Sequence, residues 1–172
     1  MNGVFPEKRV CLMKKIALYP GTFDPVTLGH VDIVIRAVGL FDNLTVAVSD
    51  NPDKNALFTV EQRVEMLRAA LKEVDRISVT SFEGLTAKFA KSIGATAIIR
   101  GLRAVSDFEF EFQMALMNRK IEPDVETVFL MPKDKYSFIS SSLVKDIAKR
   151  GGDISHFVPP LVSDAISKRY SG

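Results

Sequence analysis

Short runs that are apolar on both faces alternate with helix-patterned stretches along nearly all of this 172-residue chain. The runs Lys15–Tyr19, Leu44–Val48, Ile77–Ser81, Ala95–Ile99 and Thr127–Met131 read as strands. Residues 29–41, 59–73, 85–93, 106–120, 141–150 and 160–169 read as helices. A strand apolar on both faces must be covered on both, which parallel strands joined by crossover helices achieve. The pattern therefore predicts an α/β fold: a doubly wound, Rossmann-like, five-stranded parallel sheet with helices on both faces. Such sheets bind ligands outside the carboxyl ends of their strands, near the switch in strand order. Residues just after strands are the ones to examine.

Several boundaries carry local signals. Thr59-Val60-Glu61-Gln62 has the spacing of a capping box, and Gly94 sits where a helix-terminating glycine belongs. Pro159 and Pro160 suit the first turn of a last helix. In DFEFEFQMALMN, Phe108, Phe110 and Phe112 alternate like a strand. The length of the run, and acidic Asp107, Glu109 and Glu111 near a helix start, favour helix. No repeat or linker divides the chain, so one domain over 13–172 is expected, after a loose extension at 1–12 with Met13 as an alternative start.

Charge narrows the partners. Twenty-three basic and 21 acidic residues leave a net +2, too little to argue for nucleic acid or a membrane surface. Small anionic substrates need only a few placed cations. Cys11 is the only cysteine, no apolar run reaches membrane-helix length, and the N-terminus lacks a signal-peptide core. A soluble, cytoplasmic protein is expected.

Four clusters follow strands. GTFDPVTLGH, residues 21–30, is longer than a tight strand-to-helix turn requires. Gly21 permits a tight bend, Thr22 and Phe23 offer backbone N–H groups and a hydroxyl, and Thr27 suits a helix N-cap. A helix N-terminus is an anion site, Gly29 leaves room for a flat ring, and His30 would project toward a phosphate. A capped turn with His30 hydrogen-bonded in the core is equally compatible. In IIRGLRAVSDFEFE, Arg100 and Arg103 flank Gly101 as a phosphate clamp, or else pair with Asp107, Glu109 or Glu111. In YSFISSSLVKDI, Ser140, Ser141 and Ser142 exceed what one helix cap needs, with Lys145 a turn later. In SDNPDKNALFT, Lys54 sits at the same sheet edge, where a solvated lysine is the plainer reading. His156, in SHFVPP, reads as docking the C-terminal segment.

There is no GxGxxG fingerprint, no P-loop and no His/Cys/carboxylate metal cluster in the sequence. Phosphate-holding groups without an evident nucleophile or base suit nucleotidyl transfer. There the acceptor phosphate, already ionised, attacks the α-phosphate of a nucleoside triphosphate directly.

TLGH resembles the (H/T)xGH signature of the nucleotidyltransferase superfamily, and ISSSLVK its later ISSTxxR-type signature. GTFDPVTLGH, FTVEQRV, IRGLRAVSDFEFE and SFISSSLVK together, in order from about Lys15 onward, resemble the bacterial phosphopantetheine adenylyltransferases. The resemblance implies joining of ATP to 4′-phosphopantetheine, with dephospho-coenzyme A and pyrophosphate as products. An adenylyltransferase for nicotinamide mononucleotide or a cytidylyltransferase is the neighbouring alternative. By resemblance, His30, Lys54 and Arg100 are the catalytic set. Thr22, Phe23, His30, Gly101, Leu102, Arg103 and Glu111 would meet ATP, as would Tyr136, Ser137, Phe138, Ile139, Ser140, Ser141 and Ser142. Thr22, Lys54, Thr86 and Arg100 would meet 4′-phosphopantetheine. Mg2+ would arrive on the ATP phosphates. Coenzyme A would be a feedback ligand, and the assembly a homohexamer, a dimer of trimers, with neither nucleic acid nor membrane as partner. Lys145 stands where the superfamily signature has Arg, and Tyr136 where some members have Trp.

Overall fold

A computed structural model of the chain describes residues 14–50 and 55–170, so the expected extension at 1–12, Met13 and Lys54 lie outside the described residues. The strands are β1 (Ile16–Gly21), β2 (Asn43–Asp50), β3 (Ile77–Glu83), β4 (Ala97–Gly101) and β5 (Glu126–Leu130). The helices are α1 (Leu28–Val38), α2 (Val60–Ala70), α3 (Thr86–Ser92), α4 (Val105–Ile121), α5 (Asp134–Ser137), α6 (Ser141–Lys149) and α7 (Pro160–Tyr170). All strand pairs are parallel, as the alternation predicted, and the strands lie in the order β3-β2-β1-β4-β5. After β3 the chain returns to the other side of β1, so the order switches between β1 and β4.

The two-sided apolar pattern of the strands explains the layers. Ala17 and Tyr19 of β1, Val46 and Val48 of β2, and Ala97 and Ile99 of β4 face the larger core. Ile33 and Val34 of α1, Leu67 of α2, Val144 of α6 and Ile166 of α7 complete it. Leu18, Ala47 and Ile98 point the other way, against Ala90 of α3, with Phe82 and Val125. Side chains alternate across a strand, so each strand feeds both cores. Each fully buried Leu or Ile, such as Leu18 and Ile98, contributes about 2 kcal/mol.

Local signals hold where they are strong. Thr59 caps α2 with a reciprocal box through Gln62, Gly94 takes φ +69° after α3, and α7 opens on Pro160. The run 105–121 is helical, which puts Phe108 and Phe112 on one face and Phe110 on another; all three are exposed.

Three expectations need correction. The fourth strand begins two residues later than expected and includes Arg100 and Gly101, because these pair with Phe129 and Leu130 of β5. The stretch Tyr136–Ser142, expected from the sequence to be a loop, is only partly so: Tyr136 and Ser137 lie in the four-residue α5, and Ser141 opens α6. His156 is exposed rather than docked in the core. The neighbouring Phe157 docks the segment, its carbonyl accepting the Leu28 N–H at 2.9 Å while Ile154 and Val158 are buried.

Candidate active site

A cavity of about 510 Å³ opens at the carboxyl ends of β1 and β4, where the strand order switches. Its walls come from the turn after β1, the end of β4, Glu111 of α4, and the Tyr136–Lys145 stretch.

The turn is built around Phe23. This residue takes φ +49°, which L side chains adopt rarely and only when surroundings hold it. Its ring is buried edge-on against Tyr19, centroids 5.4 Å apart, and against His30, centroids 5.0 Å apart. It also lies over Gly21, where a β-carbon would come within 2.9 Å of the ring. Gly21 is therefore needed for this close approach; its own φ is not positive.

His30 closes the helix cap and also lines the cavity. Thr27 is the N-cap of α1, and its backbone N–H donates to His30 Nδ1 at 3.0 Å while its hydroxyl accepts from the His30 N–H. An N–H can only donate, so Nδ1 is unprotonated and the neutral ring carries its hydrogen on Nε2. His30 lines the cavity, so one nitrogen closes the helix cap and the opposite one is available there as a donor. Burial, then Arg103 and Arg100, push its pKa from 6.5 down to about 4. At neutral pH the ring is uncharged.

The arginines are ion-paired and also line the cavity. Arg100 grips Glu111 with two bonds, Nε–Oε2 at 2.7 Å and Nη2–Oε1 at 2.5 Å, and donates Nη1 to the Pro20 carbonyl at 3.2 Å. Burial opposes its charge, but Glu111 outweighs that and its pKa stays above the ordinary arginine value. Arg103 pairs with Asp107 at 3.2 Å and reaches the Ile139 carbonyl at 3.4 Å. Both still line the cavity. Beside them the Tyr19 phenol is buried, which pushes its pKa up and keeps it neutral.

Each serine has a structural partner as well as a place on the wall. Ser140 caps α6 by accepting the Leu143 N–H at 3.1 Å, Ser141 donates to the Pro25 carbonyl at 2.8 Å, and the Ser142 hydroxyl meets that of Ser140 at 3.1 Å. Thr22, Phe23, Gly101, Arg103, Glu111, Tyr136 and Ile139 also line the cavity. The remaining expected residues stand apart from it. Leu102 bonds through its N–H to the Leu130 carbonyl, Ser137 donates to the Asp134 carbonyl, and Phe138 is exposed against Phe157. Thr86 opens α3 after β3, at the same sheet edge but two strands out from β1.

Two buried carboxylates escaped sequence reasoning. Asp24 accepts the N–H groups of Leu57 and Phe58 and pairs with Lys145 at 2.7 Å. Asp32 holds Arg36 and the Lys133 N–H, which anchors the chain leading to Tyr136. Burial alone would raise the Asp32 pKa, yet those donors hold it below the usual carboxylate value. For Asp24 the only signal was an acidic residue in a turn; for Asp32 there was also Arg36 four residues on, at helical spacing. Among the described residues no cluster of three or more His, Cys, Asp or Glu could hold a metal ion.

The cavity thus combines a neutral imidazole donor, two arginines, a lysine and the N-termini of α1 and α6, a set suited to phosphate groups. Known proteins agree with that chemistry. The cytidylyltransferase-like family model matches residues 18–147. The phosphopantetheine adenylyltransferase of Opitutus terrae is 58% identical over 149 residues, covering 87% of this chain and 93% of that protein. That of Caldanaerobacter subterraneus subsp. tengcongensis is 51% identical over 156 residues, covering 91% and 98%. Among solved structures, a putative nicotinate-nucleotide adenylyltransferase from Vibrio parahaemolyticus superposes with a TM-score of 0.70 at 19% identity, covering 93% of this chain and 98% of that one, which shows a shared fold. With its signatures, fold and relatives in accord, the chain belongs to the phosphopantetheine adenylyltransferases of the cytidylyltransferase-like family.

Proposed function

We propose that the chain transfers the adenylyl group of ATP to 4′-phosphopantetheine, giving dephospho-coenzyme A and pyrophosphate on the route to coenzyme A. The observation that carries this reading is the convergence of His30, Arg100, Arg103 and two helix N-termini on one cavity at the strand switch. An acceptor phosphate oxygen attacks the α-phosphorus of ATP in line. The new P–O bond forms as the bond to the β-phosphate bridging oxygen breaks, and pyrophosphate leaves with its electron pair. No protein base is required, because the acceptor phosphate is already ionised. His30 donates its Nε2–H to the oxygens that gain charge, in the manner of an oxyanion-hole donor. Arg100, with Thr22, Lys54 and Thr86, is assigned to the 4′-phosphopantetheine side. Phe23, Gly101, Leu102, Arg103, Glu111 and the Tyr136–Ser142 segment are assigned to ATP.

Mg2+ enters as the complex of the substrate triphosphate, which the phosphate-rich reaction itself motivates. Self-association is supported by α4, whose Phe110, Met114, Leu116 and Met117 are exposed on a 17-residue helix, and a homohexamer is the assembly in this reading. Coenzyme A, which contains the acceptor's own pantetheine phosphate portion, is a feedback ligand in this reading. A cytoplasmic location accords with coenzyme A synthesis, and no helix among the described residues is long and apolar enough to cross a membrane.

Incubation with MgATP and either 4′-phosphopantetheine or nicotinamide mononucleotide tests the assignment. Pyrophosphate is expected with the first only; release with nicotinamide mononucleotide alone would overturn it.

A further inference from the structure

Arg63 lies on the inward face of α2 with Val64, Met66 and Leu67, and is 4% exposed. An aliphatic side chain would fill that place without the desolvation a guanidinium suffers. Among the described residues its hydrogen-bond partners are all carbonyls. Nε donates to Phe58 at 3.1 Å and Thr59 at 3.3 Å; Nη1 donates to Thr22 at 2.8 Å and Ser49 at 3.4 Å. The shortest of these crosses from α2 to the turn that bears Phe23.

That contact has geometric consequences. The Thr22–Phe23 peptide is trans and planar, so drawing the Thr22 carbonyl toward α2 turns the Phe23 N–H to the opposite side. The same peptide leads into Phe23 at φ +49°, a conformation that costs about 1 kcal/mol or more and persists only where neighbours impose it. The Phe23 ring in turn sits edge-on to His30. Asp24 grips the same partner segment from the turn: it takes the Phe58 N–H while Arg63 takes the Phe58 carbonyl. A buried anion on the turn and a buried cation on α2 thus hold the two together. Arg63 itself does not line the cavity.

We infer that Arg63 is a positioning residue for adenylyl transfer: through the Thr22 carbonyl it sets the Thr22–Phe23 peptide, and through the Phe23 ring the orientation of the His30 imidazole. This rests on the cavity being the transfer site. The full-length protein with Arg63→Met and Arg63→Lys tests it by three measurements. These are thermal unfolding, kcat and KM for MgATP with 4′-phosphopantetheine, and the imidazole titration of His30 by NMR, which only His156 accompanies. In Arg63→Met, kcat falls about tenfold or more while KM for MgATP changes by less than about threefold. In the ligand-free variant the His30 midpoint rises by about one pH unit, since Arg63 is not among the groups that depress it and a displaced ring loses part of its burial. Arg63→Lys, which keeps one donor for the Thr22 carbonyl, falls between, about threefold to fivefold below the natural protein in kcat. Unchanged kcat in folded Arg63→Met, or a loss with the His30 midpoint unmoved, overturns the inference. If Arg63→Met does not fold, wild-type kcat in Arg63→Lys overturns it. Natural protein that makes no dephospho-coenzyme A would instead overturn the proposed activity, and the ligand-free titration still decides the role of Arg63.

Discussion

His30→Gln separates the charge of the imidazole from its part in the fold. Gln is the side chain that a capping box ordinarily uses three residues after its Thr, so the variant keeps an acceptor for the Thr27 N–H. What it loses is the titration. The folded pKa of His30, about 4, lies below the unfolded value of 6.5, so between those limits the unfolded chain binds more protons than the folded one. Stability is therefore complete above pH 6.5 and is lost as pH falls toward 4. With about 1.4 kcal/mol per pKa unit, the loss on acidifying from pH 7 to pH 5 is about 2 kcal/mol. Urea unfolding of both proteins at pH 7 and pH 5 measures it, at one protein concentration because self-association shifts apparent stability. The natural protein is expected to lose about 2 kcal/mol more than His30→Gln over that interval. Equal losses would refute the claim that the ring is held neutral, and with it the assignment of Nε2–H as an uncharged donor at pH 7.

Four further substitutions probe the surrounding geometry. Gly21→Ala places a methyl group 2.9 Å from the Phe23 ring, and a loss of about 1–3 kcal/mol with lowered kcat is expected in thermal melts and turnover assays. Arg100→Met strands the largely buried Glu111 carboxylate and costs about 3 kcal/mol, whereas Arg100→Met with Glu111→Leu recovers most of that stability but no turnover. Recovered activity in the double variant would make the pair purely structural. Asp24→Ala orphans the Leu57 and Phe58 N–H groups and the Lys145 ammonium, an expected loss of about 2–4 kcal/mol in urea unfolding.

What could be read from the sequence follows the range over which each signal acts. Strand burial on two faces is a property of consecutive residues, so the sheet, its parallel sense and the position of the site at the strand ends were legible. The Thr59 box and Gly94 are equally local. Gly21 was legible only as flexible, because the atom that excludes its β-carbon belongs to Phe23 folded back over it. Asp24 acts through partners 33 or more residues away and Asp32 reaches the Lys133 N–H across 101, and no periodicity announces such bonds; only the Asp32–Arg36 pair, four apart on α1, is local. The four-residue α5 is too short for a helical repeat to appear. For His30 the sequence left cap and phosphate donor as alternatives; Nδ1 takes the cap, which leaves Nε2 for the proposed donor role.

The switch in strand order also governs when this site comes into being. Arg100 meets the Pro20 carbonyl across 80 residues of sequence, and Ala17 pairs with Ala97 across the same distance. A growing chain that has laid down β1, α1, β2 and β3 holds half a cavity and no arginine clamp. The halves meet only when β4 docks beside β1, a closure of high contact order that comes at the expense of a long loop. Any ligand that bridges them binds after this step, so it slows unfolding and leaves the early folding rate as it was.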